Sequence, residues 1–213
     1  MSRRNEDDMR KGFFIMCLMG IAIYILVGNE EQKVTASELK DKLLRYHVVA
    51  NSDSEEDQEV KLKVKEAVLE ELSGKLEAVK DAKEAASVVE DNRENILAVA
   101  NKVLNEEGFT YTATMRVDEE YFPAKIYGDL TLPPGDYDAL VIELGEGEGK
   151  NWWCVLFPTL CFIEPTCAVL PEESKDKLSG VLTTEEYCAV INDEETEIKV
   201  ESKVINWIKS FID

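Results

Sequence analysis

The chain has one histidine in 213 residues, which argues against the His-rich ligand sets of zinc hydrolases. It is also poor in basic residues: 24 Lys and Arg stand against 44 Asp and Glu, a formal net charge of −20. Such a surface repels phosphate backbones and gains nothing from counterion release, so no nucleic-acid partner is expected. Six prolines and 11 glycines are too few for a collagen-like or low-complexity chain. Its 45% hydrophobic and 32% charged residues are instead an ordinary globular mixture, and the length suits one domain. No internal repeat and no Cys-x-x-Cys redox motif occurs.

One long apolar run is present. Gly12 to Asn29 carries no charge over 18 residues. As a helix it would rise about 27 Å, close to the roughly 30 Å core of a bilayer. Arg3, Arg4, Arg10 and Lys11 precede it, and Glu30 and Glu31 follow. That asymmetry orients its N-terminus to the cytoplasm and predicts export of the rest. Residues 1–28 are therefore read as a cytoplasmic tip plus a signal peptide or transmembrane anchor, with membrane contact through residues 13–28 only. Gly20 and Ala22 offer a weak cut site before Ile23, and both fates stay open. Residues 29–41 read as a polar linker or short helix. Residues 42–213 read as the exported domain.

Periodicity predicts the elements of that domain. Leu43–Ala50 reads as an internal strand. Ser54-Glu-Glu-Asp57 has the form of a capping box, and Val60, Val64, Val68, Leu72 and Leu76 continue at helical spacing. A second helix is predicted from Lys83 to Asn105, ended by Gly108. Phe109–Val117 alternates as a half-buried strand. Leu132-Pro-Pro-Gly135 predicts a turn, Tyr137–Leu144 a buried strand, and Trp152–Phe157 a central strand apolar on both faces. A last strand near Ile198–Val200 and a short helix with Val204, Trp207, Ile208 and Phe211 close the chain. The expected class is α+β, a mixed or antiparallel sheet packed by two or three helices.

Several segments invite chemistry. Asn51–Asp57 resembles a calcium loop, but Gln58 and Val64 stand where an EF-hand needs Gly and Glu. Helix capping accounts for these residues. Gly145-Glu-Gly-Glu-Gly-Lys150 lacks the first glycine and the Ser/Thr of a Walker loop, and reads as a flexible connection or a partner-binding loop. Cys154 with His47 would suit a thiol hydrolase only if the two met. His47 lies mid-strand in an apolar run and reads as a satisfied core residue. Cys154, Cys161, Cys167 and Cys188 permit two disulfides. Cys154 and Cys161 flank Pro158 as one candidate pair; buried free thiols weigh equally. No catalytic residue, metal ligand or cofactor is assigned.

Tyr46-His-Val-Val-Ala-Asn-Ser-Asp-Ser54, Asp57-Gln58, Lys61–Val68, Tyr121-Phe-Pro-Ala-Lys125 and Tyr127-Gly128 form one set of blocks. Leu132–Leu140 and Gly145-Glu-Gly-Glu-Gly-Lys-Asn-Trp-Trp-Cys-Val-Leu-Phe-Pro-Thr-Leu-Cys-Phe162 form another. Together they resemble the stage II sporulation protein R family over about residues 40–163, leaving 163–213 outside the clear likeness. The resemblance implies a signal made in the forespore and exported between the two septal membranes. There it would activate a membrane-embedded aspartic protease of the mother cell, which processes pro-sigma-E. It brings no catalytic residues. It marks Asn51, Asp53, Asp57, Tyr121, Lys125, Tyr127, Lys150, Asn151, Trp152 and Trp153 as family-motif or partner-binding candidates. Two alternatives remain: an extracytoplasmic cysteine hydrolase acting on cell wall through Cys154 and His47, and a structural envelope protein.

Overall fold

A computed structural model describes residues 34–161 and 169–191. These lie in one compact unit of the chain, Val34–Asp213. The apolar run at 13–28, Cys17, Cys167, the strand expected at 198–200 and the helix expected at 204–211 lie outside the described residues. Among the described residues no helix is long and apolar enough to cross a membrane.

The elements run α1 (Ala36–Leu39), β1 (Leu44–Val49), α2 (Glu55–Leu76), α3 (Ala82–Asp91), α4 (Arg93–Glu106), β2 (Ala113–Phe122), β3 (Lys125–Tyr127), β4 (Leu130–Leu132), β5 (Gly135–Leu144), β6 (Asn151–Phe157), α5 (Glu172–Ser179) and α6 (Thr184–Val190). Four strands make a mixed sheet in the order β2-β5-β1-β6. β1 runs parallel to β5 and antiparallel to β6, and β2 runs antiparallel to β5. β3 and β4 form a separate hairpin. The class is α+β as expected, but six helices are described where two or three were anticipated.

Two cores share the sheet. On one face Tyr46, Val48, Met115, Leu140, Ile142, Cys154 and Leu156 pack against the stripe Val60, Val64, Val68, Leu72 and Leu76 of α2, with α3 and α4 alongside. Alternate residues of the same strands face the other way, as a period of two requires. There Tyr137, Ala139, Val141 and Val155 meet Ala36 and Leu39 of α1, Leu130 and Leu132 of the hairpin, and Leu178 and Val190 of the last two helices. Part of the stretch read as a linker or short helix is thus α1, with Ala36 and Leu39 buried. A buried ion pair, Lys175 Nζ to Asp129 Oδ2 at 2.8 Å, ties α5 to the hairpin.

Three expectations change. The single helix over 83–105 is two, because the backbone leaves the helical region at Asn92, with φ −101° and ψ 13°. The strand read as Phe109–Val117 begins at Ala113 and runs on to Phe122, although Phe109 and Tyr111 do pack on the first core. The strand read as central, β6, stands last in the sheet order. It is apolar on both faces because each core reaches it. Its outer edge is covered by its own chain: Leu160 N donates to Val155 O at 3.2 Å, and Tyr127 Oη to Trp153 O at 3.2 Å.

Candidate functional site

The motif residues gather in two places. The first is a clasp between the start of α2 and the loop before β6. Ser54 caps α2 by accepting from Asp57 N at 3.1 Å. The other half of the expected box is not made, since Ser54 N donates to Ser52 Oγ at 3.1 Å. The Asp57 carboxylate turns inward instead. It accepts from Asn51 Nδ2 at 2.9 Å, from Ser52 Oγ at 2.5 Å and from Tyr111 Oη at 2.5 Å. Burial pushes the Asp57 carboxyl up, but these bonds and the Ser54 contact outweigh it and hold it below the usual carboxylate value. Burial and the Asp57 charge raise the Tyr111 phenol in turn.

The loop 145–150 is fastened to the same segment. Glu146 N donates to Asn51 Oδ1 at 3.0 Å, Gly149 N to Ala50 O at 2.9 Å and Lys150 N to Asp53 Oδ1 at 2.7 Å. Lys61 Nζ closes the clasp on Lys150 O at 2.9 Å. Gly145 turns the chain at φ +59°, and a Cβ there would lie 2.2 Å from Asn51 Oδ1. The loop read as flexible is therefore pinned. Asn51, Asp53, Asp57 and the Lys150 backbone build the fold here.

The second place is the part of the sheet beside the hairpin. His47 of β1 stacks on Trp153 of β6 at 3.7 Å, and its Nε2 meets Asn151 Oδ1 at 2.8 Å. Its Nδ1 lies 4.0 Å from Glu120 Oε1 of β2. Arg116 bridges Glu120 at 2.6 Å and Glu143 of β5 at 3.4 Å. Burial lowers the His47 pKa, with the Asn151 bond and the Glu120 charge opposing. All four strands thus contribute to one polar face. Lys125 stands over the Trp153 ring at 5.8 Å, and Tyr127 accepts from Arg45 Nη2 at 3.1 Å. The Arg45 guanidinium is buried between the Phe122 and Tyr137 rings, at 4.2 and 5.0 Å. Trp152 points to the opposite face, edge-on to Tyr46 at 5.5 Å. Tyr121 is exposed, at 58% of its full accessibility, near the end of β2.

The thiol chemistry considered from the sequence is not assembled. In the β1–β6 register His47 faces Trp153, and Tyr46 faces Cys154. His47 and Cys154 therefore project from opposite faces of the sheet. Nor is the Cys154–Cys161 pair a disulfide: both are free, buried thiols. Cys161 Sγ donates to Val155 O at 2.9 Å. Burial and the neighbouring Cys154 sulfur push the Cys161 thiol well up, away from the reactive thiolate. Among the described residues no cluster of three or more His, Cys, Asp or Glu could hold a metal ion.

Sequence reasoning missed Glu120, Arg116 and Glu143 on the polar face. A usable signal was there, because Arg116 and Glu120 lie four apart in an alternating strand and so share a side.

The family profile of stage II sporulation protein R matches residues 40–166. A relative from Bacillus subtilis (strain 168), named stage II sporulation protein R, is 33% identical over 175 residues. The match spans 81% of this chain and 78% of the relative. The chain belongs to the stage II sporulation protein R family. Its role is accordingly in sporulation. The match begins just before β1 and takes in the clasp, β2, the hairpin and all of β6. No solved structure matches the chain.

Proposed function

We propose that the chain is an exported or membrane-anchored sporulation signal. It activates a membrane-embedded aspartic protease of the mother cell and so triggers processing of pro-sigma-E. Membership of the sporulation protein R family carries this reading. The placement of the only imidazole on the sheet face opposite Cys154 supports it, because a thiol nucleophile needs its base within hydrogen-bond reach. The protein then works by contact and not by covalent chemistry. The basic-then-acidic flanks of the apolar run favour delivery across the forespore membrane, with residues 13–28 as leader or anchor.

The test is reconstitution in a non-sporulating host. The full chain is co-expressed with the matching protease and the sigma-factor precursor, and the precursor is followed on a blot. Processing that requires this chain, and survives Cys154→Ala, is expected. If the precursor stays intact with all three proteins present and exported, the structural envelope reading replaces this one. If processing needs the Cys154 thiol in a variant that still folds, the hydrolase reading does.

A further inference from the structure

The two edges of the sheet are treated differently. The β6 edge is closed by Leu160 and Tyr127, as described above. At the other edge, β2 is covered only over its first half. Ala113 N donates to Asn101 Oδ1 at 2.9 Å, and Met115 O accepts from Arg93 Nη1 at 2.7 Å. Thr112 O faces inward and accepts from Gly145 N at 3.0 Å. The odd-numbered residues of β2 therefore turn their N–H and C=O away from β5, and the register runs on unbroken to Phe122. Val117, Glu119 and Tyr121 continue that outward set. Among the described residues no strand pairs with them on this side. The one bond made there is local, Glu119 N to Asp118 Oδ1 at 2.8 Å.

The charge around this open edge is one-sided. Asp118, Glu119 and Glu120 are consecutive, and β5 places Asp138 opposite Glu119 and Asp136 opposite Tyr121. Lys40 pairs with Glu119, and Arg116 with Glu120. Asp118, Asp136 and Asp138 pair with no cation among the described residues. Glu119 and Asp138 are like charges directly across a strand pair, which is unfavourable; Lys40 offsets Glu119, and a cationic neighbour would offset Asp138. Two copies of the edge would bring two acidic triplets together, so self-pairing is disfavoured. The exposed Tyr121 ring supplies an apolar anchor at the end of the row.

We propose that the Val117–Tyr121 edge of β2 is a strand-addition site for an extended, basic segment of the partner protein. It rests on the reading that the chain activates a protease by contact. Main-chain bonds to Val117, Glu119 and Tyr121 give the attachment, and the carboxylates select Lys or Arg on the incoming strand.

The experiment uses the full chain in the reconstituted system, with hydrogen exchange on the same protein alone. Glu119→Pro deletes an outward N–H and blocks an incoming strand without removing a bond to β5. Asp118→Lys with Asp138→Lys reverses the charge and leaves the backbone intact. At least a tenfold loss of precursor processing is expected in each, with the unfolding midpoint retained. Should Glu119→Pro fail to fold, the charge reversal decides. Wild-type processing together with normal processing by the folded variants would overturn the site and leave the signalling reading standing. An inactive wild type would remove the reading and the site with it. Fast exchange of the Val117 and Tyr121 amides is expected in the chain alone. Slow exchange that turns fast on dilution, or on deleting residues 192–213, would give the edge to a second copy or to the chain's own tail, and overturn the proposal.

Discussion

Asp57 shows how a residue legible locally can serve a distant purpose. The sequence marks it as a first-turn acid three residues after a cap, and Ser54 does take its N–H. Its carboxylate, however, answers to Asn51, Ser52 and Tyr111, the last 54 residues away. No local pattern reveals that partner. Arg45 is a parallel case: the apolar run around it correctly announces an internal strand, but not the Phe122 and Tyr137 rings that sandwich it. In Asp57→Asn, one of the three side-chain donors would face an amide NH2, a loss of about 2 kcal/mol at pH 7. The pH dependence follows from the depressed carboxyl pKa. The unfolded chain binds the proton first, so the contribution is full above about pH 4 and lost as pH falls through the lower folded value. Urea unfolding at pH 7 and pH 3 should show the gap between wild type and Asp57→Asn narrowing at the lower pH. A gap of equal size at both would mean the carboxylate charge carries no stability.

At the scale of elements, existence was legible and placement was not. The stripe of Val60, Val64, Val68, Leu72 and Leu76 announces α2, and alternation announces β2, because each periodicity follows from one buried face. Strand order depends on pairings between distant segments, which periodicity does not encode. That is why β6, apolar throughout, reads as central and stands at an edge. The same holds for the loop 145–150, whose glycines suggest freedom when seen alone. Gly149 packs so closely on the segment before α2 that a Cβ would lie 2.2 Å from Ser52 O. Gly149→Ala must therefore spring the clasp, with an expected loss of about 2 kcal/mol or more. A Cβ on Gly74, within α2, would meet no atom within 4 Å beyond the adjoining helix backbone. Gly74→Ala should stabilise by about 0.5–1 kcal/mol through helix propensity. Denaturant midpoints moving in opposite directions at an unchanged slope would bear out both. A neutral Gly149→Ala would mean that the loop can shift away and that the clasp is not rigid.

For the whole molecule, the charge balance and the two cores bear on the same question of where the protein can go. Each face of the sheet carries a core built by its own chain, so its apolar side chains are largely used in folding. The exposed large hydrophobics among the described residues are Leu62, Tyr121, Ile126 and Val169. They come from four different segments, unlike the continuous apolar face by which an amphipathic helix holds a membrane. Residues 29–213 also carry 20 basic against 41 acidic groups. An anionic bilayer attracts basic clusters and repels this surface, and the repulsion reaches about one Debye length, roughly 8 Å at physiological salt. Residues 13–28 are then the expected hold on a membrane, and residues 29–213 are expected to move freely until a partner offers positive charge. Residues 29–213 should stay in the supernatant when spun with phosphatidylglycerol vesicles at physiological salt, while a chain that keeps residues 1–28 should pellet. Pelleting of the shorter chain would mean that a local apolar or basic patch overrides the net field, and the open β2 edge would lose its claim to be the principal docking feature.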